Sequence, residues 1–150
     1  MSYQVRAVTD AETSLVYSSY IKSLWQRGGG HGQFSYSEHC RVAHERMEGL
    51  LASDPLALCV VSPEAPGWVG GWTIGHVLDD GDLAIHWLYV KHEYRRLGLA
   101  SLLLRSMRSQ ASANGKIVAT HPHHRWREQS QKLGVVMMPL NRALERRLER

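Results

Sequence analysis

Cysteine is scarce in this chain, which contains Cys40 and Cys59 and no other. Two cysteines cannot form the dense disulfide framework of a small secreted domain. Cys40 falls in a helical pattern and Cys59 in an apolar strand pattern, and neither lies in an obviously basic context that would activate a nucleophilic thiolate. We therefore predict that both are buried structural thiols.

Long hydrophobic runs are absent as well. No apolar stretch approaches the roughly 20 residues that span a bilayer. The first ten residues, MSYQVRAVTD, lack the basic start and apolar segment of a secretory signal. The sequence thus predicts a cytoplasmic protein with no membrane partner. Its 150 residues, 43% hydrophobic and 21% charged, fit one globular domain, 1–150, that ends in a charged segment, 139–150.

Internal repeats and low-complexity tracts are also absent, and the residue patterns predict the element order β, α, α, β, β, β, α, β, α, β. The capping box from Thr9 to Glu12 predicts the start of the first helix. Ser35 or Ser37, with Glu38 as the capping partner, predicts the start of the second. The charged C-terminal end is expected to form a terminal helix or a frayed tail.

The middle of the chain predicts a β-hairpin. Its first strand lies in WVGGWTIGHVL, where Gly70 and Gly71 indicate a bulge or a close backbone approach. The turn DDGD follows, and the returning strand is Leu83–Val90. A helix is predicted from about Gly98 to Ala113, with an apolar stripe that packs on the sheet. Short strands are then predicted at KIVAT and VVMM, with a helix, RWREQSQKLG, between them.

The chain carries an excess of positive charge, with a formal net charge of +4. This balance favours anionic ligands without distinguishing nucleic acid from a phosphorylated cofactor. Arg95, Arg96 and Gly98 stand at the turn into the predicted helix, where unpaired backbone N–H groups and a partial positive charge bind phosphates. The turn is neither a Walker loop nor the dinucleotide fingerprint. We interpret it as a pyrophosphate cradle, with a merely solvated basic turn as the alternative.

The segment Arg95-Arg96-Leu97-Gly98-Leu99-Ala100 resembles the R/Q-x-x-G-x-G/A motif of the GCN5-related N-acetyltransferase (GNAT) superfamily. The preceding LYVKHEY and the later QKLGV are similar to that family's approach strand and its Y-x-K-L-G-F segment. YIKSLW and HWLYVKHEYRR also resemble segments of small acetyltransferase-like proteins encoded by bacteriophages. The resemblance implies an α/β GNAT fold, in which a mixed central sheet with flanking helices splays between strands 4 and 5.

The resemblance also implies that acetyl-CoA, the acetyl donor, enters this splay. Its pyrophosphate would lie on the backbone N–H groups from Arg96 to Ser101, and its pantetheine would pair with Leu88 to Val90 as an added strand. A backbone N–H of the same strand would stabilise the oxyanion at the acetyl carbonyl. The implied cofactor-binding residues are Leu88, Tyr89, Val90, Arg95, Arg96, Leu97, Gly98, Leu99, Ala100 and Ser101.

In this family the acceptor amine attacks the thioester directly, so one proton leaves an ammonium and another reaches the thiolate. His86 is the first candidate for the base, since it falls two residues before Leu88, on the same strand face by alternation, and an imidazole titrates near working pH. A hydrogen-bonded sheet histidine is the alternative, and His76 is a second choice of base. The family's thiolate-protonating tyrosine aligns with Ser130. This departure leaves the task to water or to another group such as Tyr89, or leaves catalysis weak or absent.

Two further motifs are interpreted as structural. The stretch from His121 to His124 lacks carboxylate or cysteine partners at ligand spacing, so no metal site is predicted. Trp68, Trp72 and Trp87 are expected in the core and the cleft wall, not as stacking platforms for bases.

The sequence therefore predicts an acetyl-CoA-dependent N-acetyltransferase that acts on a primary amine of a small molecule or a protein. The segment RGGGHGQF and the second helix are expected to border the acceptor site, as their positions do in the family. Clear residues for a seventh strand are lacking, so an acceptor-facing wall is either missing or supplied by a second subunit of a homodimer. The main rival is a non-catalytic GNAT-fold structural or interaction protein, with or without CoA binding. Nucleic-acid binding rests mainly on net charge and is disfavoured.

Overall fold

A mixed sheet of six strands, in the order β1-β2-β3-β4-β5-β6, organises the computed structural model, which describes residues 1–26, 35–111, 114–121 and 135–148. The strands are β1 (Gln4–Ala7), β2 (Leu56–Val61), β3 (Val69–Val77), β4 (Leu83–Val90), β5 (Ile117–Ala119) and β6 (Val136–Met137). The helices are α1 (Asp10–Gln26), α2 (Tyr36–Ala52), α3 (Leu99–Arg108), α4 (Leu140–Glu145) and a 3-10 helix, His92–Tyr94. This order agrees with the predicted one, and the predicted helix RWREQSQKLG lies outside the described residues.

The helices α1 and α2 belong to a separate compact unit, residues 8–55. The predicted capping box is present, because the Glu12 carboxylate accepts hydrogen bonds from the Thr9 N–H at 2.7 Å and from its hydroxyl at 2.6 Å. The start of α2 is capped by Ser35, whose hydroxyl accepts from the Glu38 N–H at 3.1 Å. Both predicted helix starts are therefore confirmed.

The sheet opens between β4 and β5. Strands β1 to β4 are antiparallel, whereas β5 runs parallel to both β4 and β6. The pairing of β4 with β5 covers only Leu83–Ile85 against Ile117–Ala119, and it ends where the Thr120 N–H donates to the Ile85 carbonyl at 3.0 Å. Beyond that bond, no strand among the described residues lies beside β4 on this side. The predicted splay is thus confirmed.

Two bulges bend the β3–β4 hairpin, and the first lies at the paired glycines. Val60 pairs with Gly71 and Val61 with Val69, so Gly70 is the extra residue. A Cβ on Gly71 would lie 2.4 Å from the Tyr89 carbonyl oxygen, which only a glycine permits. The bulge and the close backbone approach that the sequence predicts both occur.

The second bulge lies in β4 and makes His86 the extra residue. Ile74 pairs with Trp87, and Gly75 pairs with Ile85, so two positions of β3 face three of β4. A bulge adds one residue to a strand, and two successive side chains at the bulge then lie on the same face of the sheet. Residues on either side of His86 therefore do not follow simple period-two alternation.

This bulge overturns the predicted common face of His86 and Leu88. Ile85 and Leu88 both pack in the cluster that contains Leu104 and Met107 of α3. The His86 ring instead bonds to side chains on the opposite face of the sheet. The prediction is wrong because alternation was counted along a regular strand.

Helix α3 is shorter than the predicted helix from Gly98 to Ala113. It ends at Arg108, and residues 109–111 form a turn and a bend. The Ser109 hydroxyl donates to the Ser106 carbonyl at 2.6 Å, which satisfies a carbonyl of the last turn without further helix. The buried side of α3 comprises Leu99, Leu103, Leu104 and Met107.

The charged C-terminal segment is folded against the sheet. Ala143 of α4 is fully buried in a cluster with Leu78, Ala84 and Val118. Arg146, after α4, forms ion pairs with two aspartates of the β3–β4 turn. Of the two predicted outcomes, a terminal helix or a frayed tail, the helix is the one that forms.

The structure also tests the burial predicted for the two cysteines and the predicted lack of a membrane-spanning helix. Both cysteines are free thiols, with Cys59 buried and Cys40 half-buried. The burial predicted for Cys40 is therefore only partial, because it lies one turn after the exposed Tyr36 at the start of α2. No helix in the described part of the chain is both long and apolar enough to cross a membrane.

Candidate functional site

The turn from β4 into α3 presents backbone donors at an open surface. Gly98 is the N-cap of α3, with a φ of 80°, and the first backbone bond of the helix runs from the Leu102 N–H to the Gly98 carbonyl at 3.0 Å. The N–H groups of Leu99, Ala100 and Ser101 come before this bond, where a helix offers no internal acceptor. A Cβ on Gly98 would meet nothing within 4 Å. The turn therefore leaves room for an anion at the positive end of the helix dipole.

Arg96 adds an exposed guanidinium and a left-handed backbone. Its φ is 70°, a conformation that costs a residue with a side chain about 1–2 kcal/mol. Leu97, between the two left-handed residues Arg96 and Gly98, is 52% exposed. Left-handed positions in a turn direct successive N–H groups to one concave side, which suits an anion. The motif residues thus form an exposed turn with backbone donors and positive charge at the start of α3, which we call the anion cradle.

Arg95 fixes this turn to the end of β4. Its Nε–H donates to the Val90 carbonyl at 3.2 Å. Leu99 is 2% exposed and packs with Val60 and Leu103, so its side chain belongs to the core. Of the predicted cofactor-binding residues, Leu99 therefore contributes a backbone N–H and no side chain to the cradle.

Replacing Arg96 with glycine is expected to stabilise the fold and weaken phosphate binding. Relief of the left-handed strain, about 1–2 kcal/mol, exceeds the roughly 0.5–1 kcal/mol that glycine loses to its freedom in the unfolded chain. We expect the free energy of unfolding to rise by about 0.5–1 kcal/mol in urea titrations, while affinity for acetyl-CoA falls. Asp54, the other described non-glycine residue with positive φ, supplies a control in Asp54→Gly. A loss of both stability and affinity in R96G would contradict the assignment of strain to this turn.

The edge of β4 that faces the splay carries available backbone groups. The Trp87 carbonyl faces β3, where it accepts a hydrogen bond from the Thr73 hydroxyl at 2.9 Å. Backbone groups of successive strand residues point to opposite sides, so those of Leu88 point into the splay. The side chains of Leu88 and Val90 pack towards α3. The edge is therefore held in place and open to strand addition.

His86 lies where β4 separates from β5, and both of its ring nitrogens have partners. Its Nδ1 is 2.9 Å from Thr120 Oγ1, and its Nε2 is 2.7 Å from His76 Nδ1. His86 is 4% exposed and His76 is 3% exposed, whereas Thr120 is only part-buried. One hydrogen-bonded chain of three side chains thus crosses β3, β4 and the end of β5.

Burial, and secondarily a charge on His76, lowers the pKa of His86 from 6.5 to about 3. Desolvation and a nearby positive charge both oppose the imidazolium form. His86 is therefore neutral at ordinary pH, with one ring nitrogen able to accept a proton. Its proton affinity is much lower than that of an exposed histidine.

Two aromatic residues of β4 pack against other rings. Tyr89 pairs with Trp72 across β3 and β4, with their ring centroids 6.3 Å apart. Trp87 makes an edge contact with His121, at 4.6 Å between centroids. Trp72 and Trp87 are buried, which confirms that they belong to the core, whereas Trp68 is half-buried.

Several predicted features lie outside the described residues. They are Ser130, most of the histidine-rich stretch after His121, and the segment RGGGHGQF. Thr120 is the site residue that sequence reasoning missed, since it stood only as the last letter of the predicted strand KIVAT. The sequence signal that could have indicated Thr120 is a polar residue directly after an apolar strand, at the point where β5 separates from β4.

A splayed mixed sheet with flanking helices is the α/β fold that the resemblance to the GNAT superfamily predicts. Residues 23–133 match the model of the Acetyltransferase (GNAT) family. The match covers most of the chain, and the chain belongs to that family of N-acetyltransferases.

Solved structures share the fold at low sequence identity. A protein from Pyrococcus furiosus assigned as an acetyl transferase is 20% identical, with a TM-score of 0.68, over 85% of this chain and 91% of that one. A GCN5-related N-acetyltransferase from Ralstonia eutropha JMP134 is 13% identical, with a TM-score of 0.65, over 89% and 92%. The PaiA N-acetyltransferase from Thermoplasma acidophilum, solved in complex with coenzyme A, is 18% identical, with a TM-score of 0.54, over 73% and 74%. A comparison with curated proteins found no match.

Proposed function

We propose that the protein is an acetyl-CoA-dependent N-acetyltransferase that moves an acetyl group to a primary amine by direct attack of the amine. The observation that carries the proposal is the anion cradle at Gly98 beside a strand edge that has no described partner. Family membership supplies the reaction class, and these two features supply the means of holding the donor.

The residues of the site fit acetyl-CoA. The backbone N–H groups of Leu99, Ala100 and Ser101 suit the diphosphate, and Arg96 adds a charged donor fork. The backbone of Leu88 suits the pantetheine amides as an added strand. When bound, acetyl-CoA supplies an acetyl group activated as a thioester. The chain's own contribution is to orient that group against the amine, which supplies much of the rate.

Proton transfer in this proposal starts from His86. Its imidazole is neutral at working pH and retains one acceptor nitrogen, as a base requires. Tyr89, on the open part of β4, and Ser130, outside the described residues, stay as proposed proton donors to the thiolate. The engaged ring nitrogens of His86 mean that any proton reaches it through a neighbouring side chain.

The acceptor is proposed to be a primary amine of a small molecule or a protein. Helix α2 and the segment RGGGHGQF remain the proposed border of the acceptor site, by resemblance to the family. Four further points stay predictions from the sequence. They are a cytoplasmic location, a single domain over residues 1–150, a homodimer and a kinship with bacteriophage proteins.

A non-catalytic protein that keeps CoA binding is the second candidate. It is favoured by the low pKa of His86, about 3, which follows mainly from burial and makes it a weak base. Serine at position 130, where the family has tyrosine, points the same way.

Calorimetric titration with acetyl-CoA, combined with a thiol-release assay, tests both candidates. The amine panel contains a polyamine, an aminoglycoside, free amino acids and a lysine peptide, and an amine-free sample measures hydrolysis. The enzyme proposal expects binding and an amine-dependent release of thiol above hydrolysis. Binding with no amine-dependent release would select the non-catalytic candidate. Absence of binding at high ligand concentration would overturn both.

A further inference from the structure

We propose that Thr120 is a catalytic residue that contacts the acceptor amine and passes its proton to His86, and that His76 is a positioning residue for His86. This inference rests on the proposed function and extends it. It follows from the chain of hydrogen bonds at the opening of the sheet and from the different exposure of its members.

The first step concerns access. His86 and His76 are each more than nine-tenths buried, and the two nitrogens of His86 are already bonded within the protein. Thr120 is part-buried, and its backbone N–H makes the last bond before β4 and β5 separate. Its hydroxyl is therefore the member of the chain that lies nearest the opening.

The second step concerns the direction of the hydrogen bonds. The Thr120 hydroxyl has one proton and two neighbouring acceptors, His86 Nδ1 at 2.9 Å and the Ile85 carbonyl at 3.5 Å. The carbonyl already accepts the Thr120 N–H at 3.0 Å, and 3.5 Å is at the limit of a hydrogen bond. The hydroxyl therefore donates to Nδ1. A neutral His86 then carries its proton on Nε2 and donates it to His76 Nδ1.

This direction makes the chain competent to remove a proton. An N–H bond of the ammonium breaks as Thr120 Oγ1 gains the proton, while the Thr120 O–H bond breaks and an N–H bond forms at His86 Nδ1. His86 becomes an imidazolium whose Nε2–H donates to the Nδ1 of a neutral His76. The proton returns by the reverse path to the departing thiolate. All three side chains then have their initial protonation.

The bulge supports the same assignment. It inserts His86 as an extra residue between Ile85 and Trp87, on the face away from α3. The bulge places both His86 and Trp87 on the face of the sheet that carries His76. The chain of bonds therefore lies at a bulge, at the point where the sheet opens, and functional sites often lie at bulges.

The first readout uses the free protein. Long-range ¹H–¹⁵N correlation of the histidine rings is expected to place the His86 proton on Nε2 and none on Nδ1. Thr120→Val keeps the shape of the side chain, removes the hydroxyl and is expected to move the Nδ1 signal. Thr73→Val removes a hydroxyl from the same hairpin that bonds only to backbone, and should leave that signal unchanged. A proton on Nδ1 in the wild-type protein would overturn the relay.

The second readout is kinetic, with an amine that the wild-type protein acetylates. Thr120→Val is expected to lower kcat on the order of 100-fold, the lower end for general base catalysis, with little change in KM for acetyl-CoA, and Thr120→Ser should restore most of it. His76→Leu should lower kcat in the same way, and His76→Asn, which keeps an acceptor for the Nε2–H, should recover part. Unchanged kcat in T120V would reject the relay while leaving the proposed function intact. Lack of transfer by the wild type would reject the proposed function, and the relay with it.

Discussion

Replacing Gly98 with glutamate is expected to abolish acetyl-CoA binding. The side chain would enter the open space at the N-cap of α3 and place a negative charge where the diphosphate has to lie. Loss of two charge-assisted hydrogen bonds at about 1.5–3 kcal/mol each corresponds to roughly a 100-fold or greater rise in Kd. Calorimetric titration of the purified variant measures this directly.

Gly67→Glu is the matched control for this experiment. Gly67 also has a positive φ, 82°, and a Cβ added to it would likewise meet nothing within 4 Å, but it lies in the turn before β3. Both variants should lose stability by about 1–2 kcal/mol, since glutamate is strained in a left-handed conformation. Only G98E should lose binding. Equal affinities in G98E and wild type would mean that the diphosphate lies elsewhere.

The stability of the protein is expected to fall as the pH drops below 6.5, and His86 is expected to contribute much of this loss. The unfolded chain has an ordinary histidine with a pKa near 6.5, whereas burial and His76 lower the folded pKa to about 3. Between these values the unfolded chain binds more protons, so the free energy of unfolding falls with falling pH. At pH 5 the loss from this one group is about 2 kcal/mol. It fades as the pH rises above 6.5, where the histidine becomes neutral in the unfolded chain as well.

Urea titrations at pH 7.5 and pH 5 measure this loss. The titratable side chain that contacts His86 is His76 on β3, and on the β5 side the contact is the Thr120 hydroxyl. His86→Gln should be less stable at pH 7.5 but should lose about 2 kcal/mol less than wild type on acidification. His44→Gln, on the exposed face of α2, should keep the wild-type difference. If H86Q lost as much stability as the wild-type protein between pH 7.5 and pH 5, the proton uptake would belong to another group.

The sequence predicts best where a pattern is local. The capping box at Thr9, the N-cap at Ser35 and the limits of β4 depend on neighbours within a few residues, and all three agree with the structure. The motif at Gly98 is also local, because a glycine at a helix start permits a left-handed backbone and leaves space beside the free N–H groups of the first turn. The order of elements follows from these local signals together.

The prediction fails where distant residues decide the geometry. The placement of His86 and Leu88 on opposite faces depends on a bulge that is defined only by the pairing of β4 with β3. The partners of His86 are 10 and 34 residues away in the chain, so no spacing rule finds Thr120. The pKa of His86 was expected near its ordinary value, whereas burial, a property of the folded sheet, lowers it. At the end of α3 the Ser109 hydroxyl donates to the Ser106 carbonyl. The apolar pattern of the helix does not predict this hydrogen bond.

The bulge in β4 also determines which changes of chain length the sheet tolerates. Removing His86 alone would leave Ile85 and Trp87 opposite Gly75 and Ile74, their present partners, in a regular strand with every other side chain on its present face. Removing Trp87 would also give a regular strand, with His86 opposite Ile74, whereas removing Leu88 or Tyr89 would exchange the two faces for the rest of the strand. The bulge positions His86 and Trp87 are therefore the place in this stretch where a lineage can lose a residue and keep the core, and the loss of His86 would also remove the proposed proton relay.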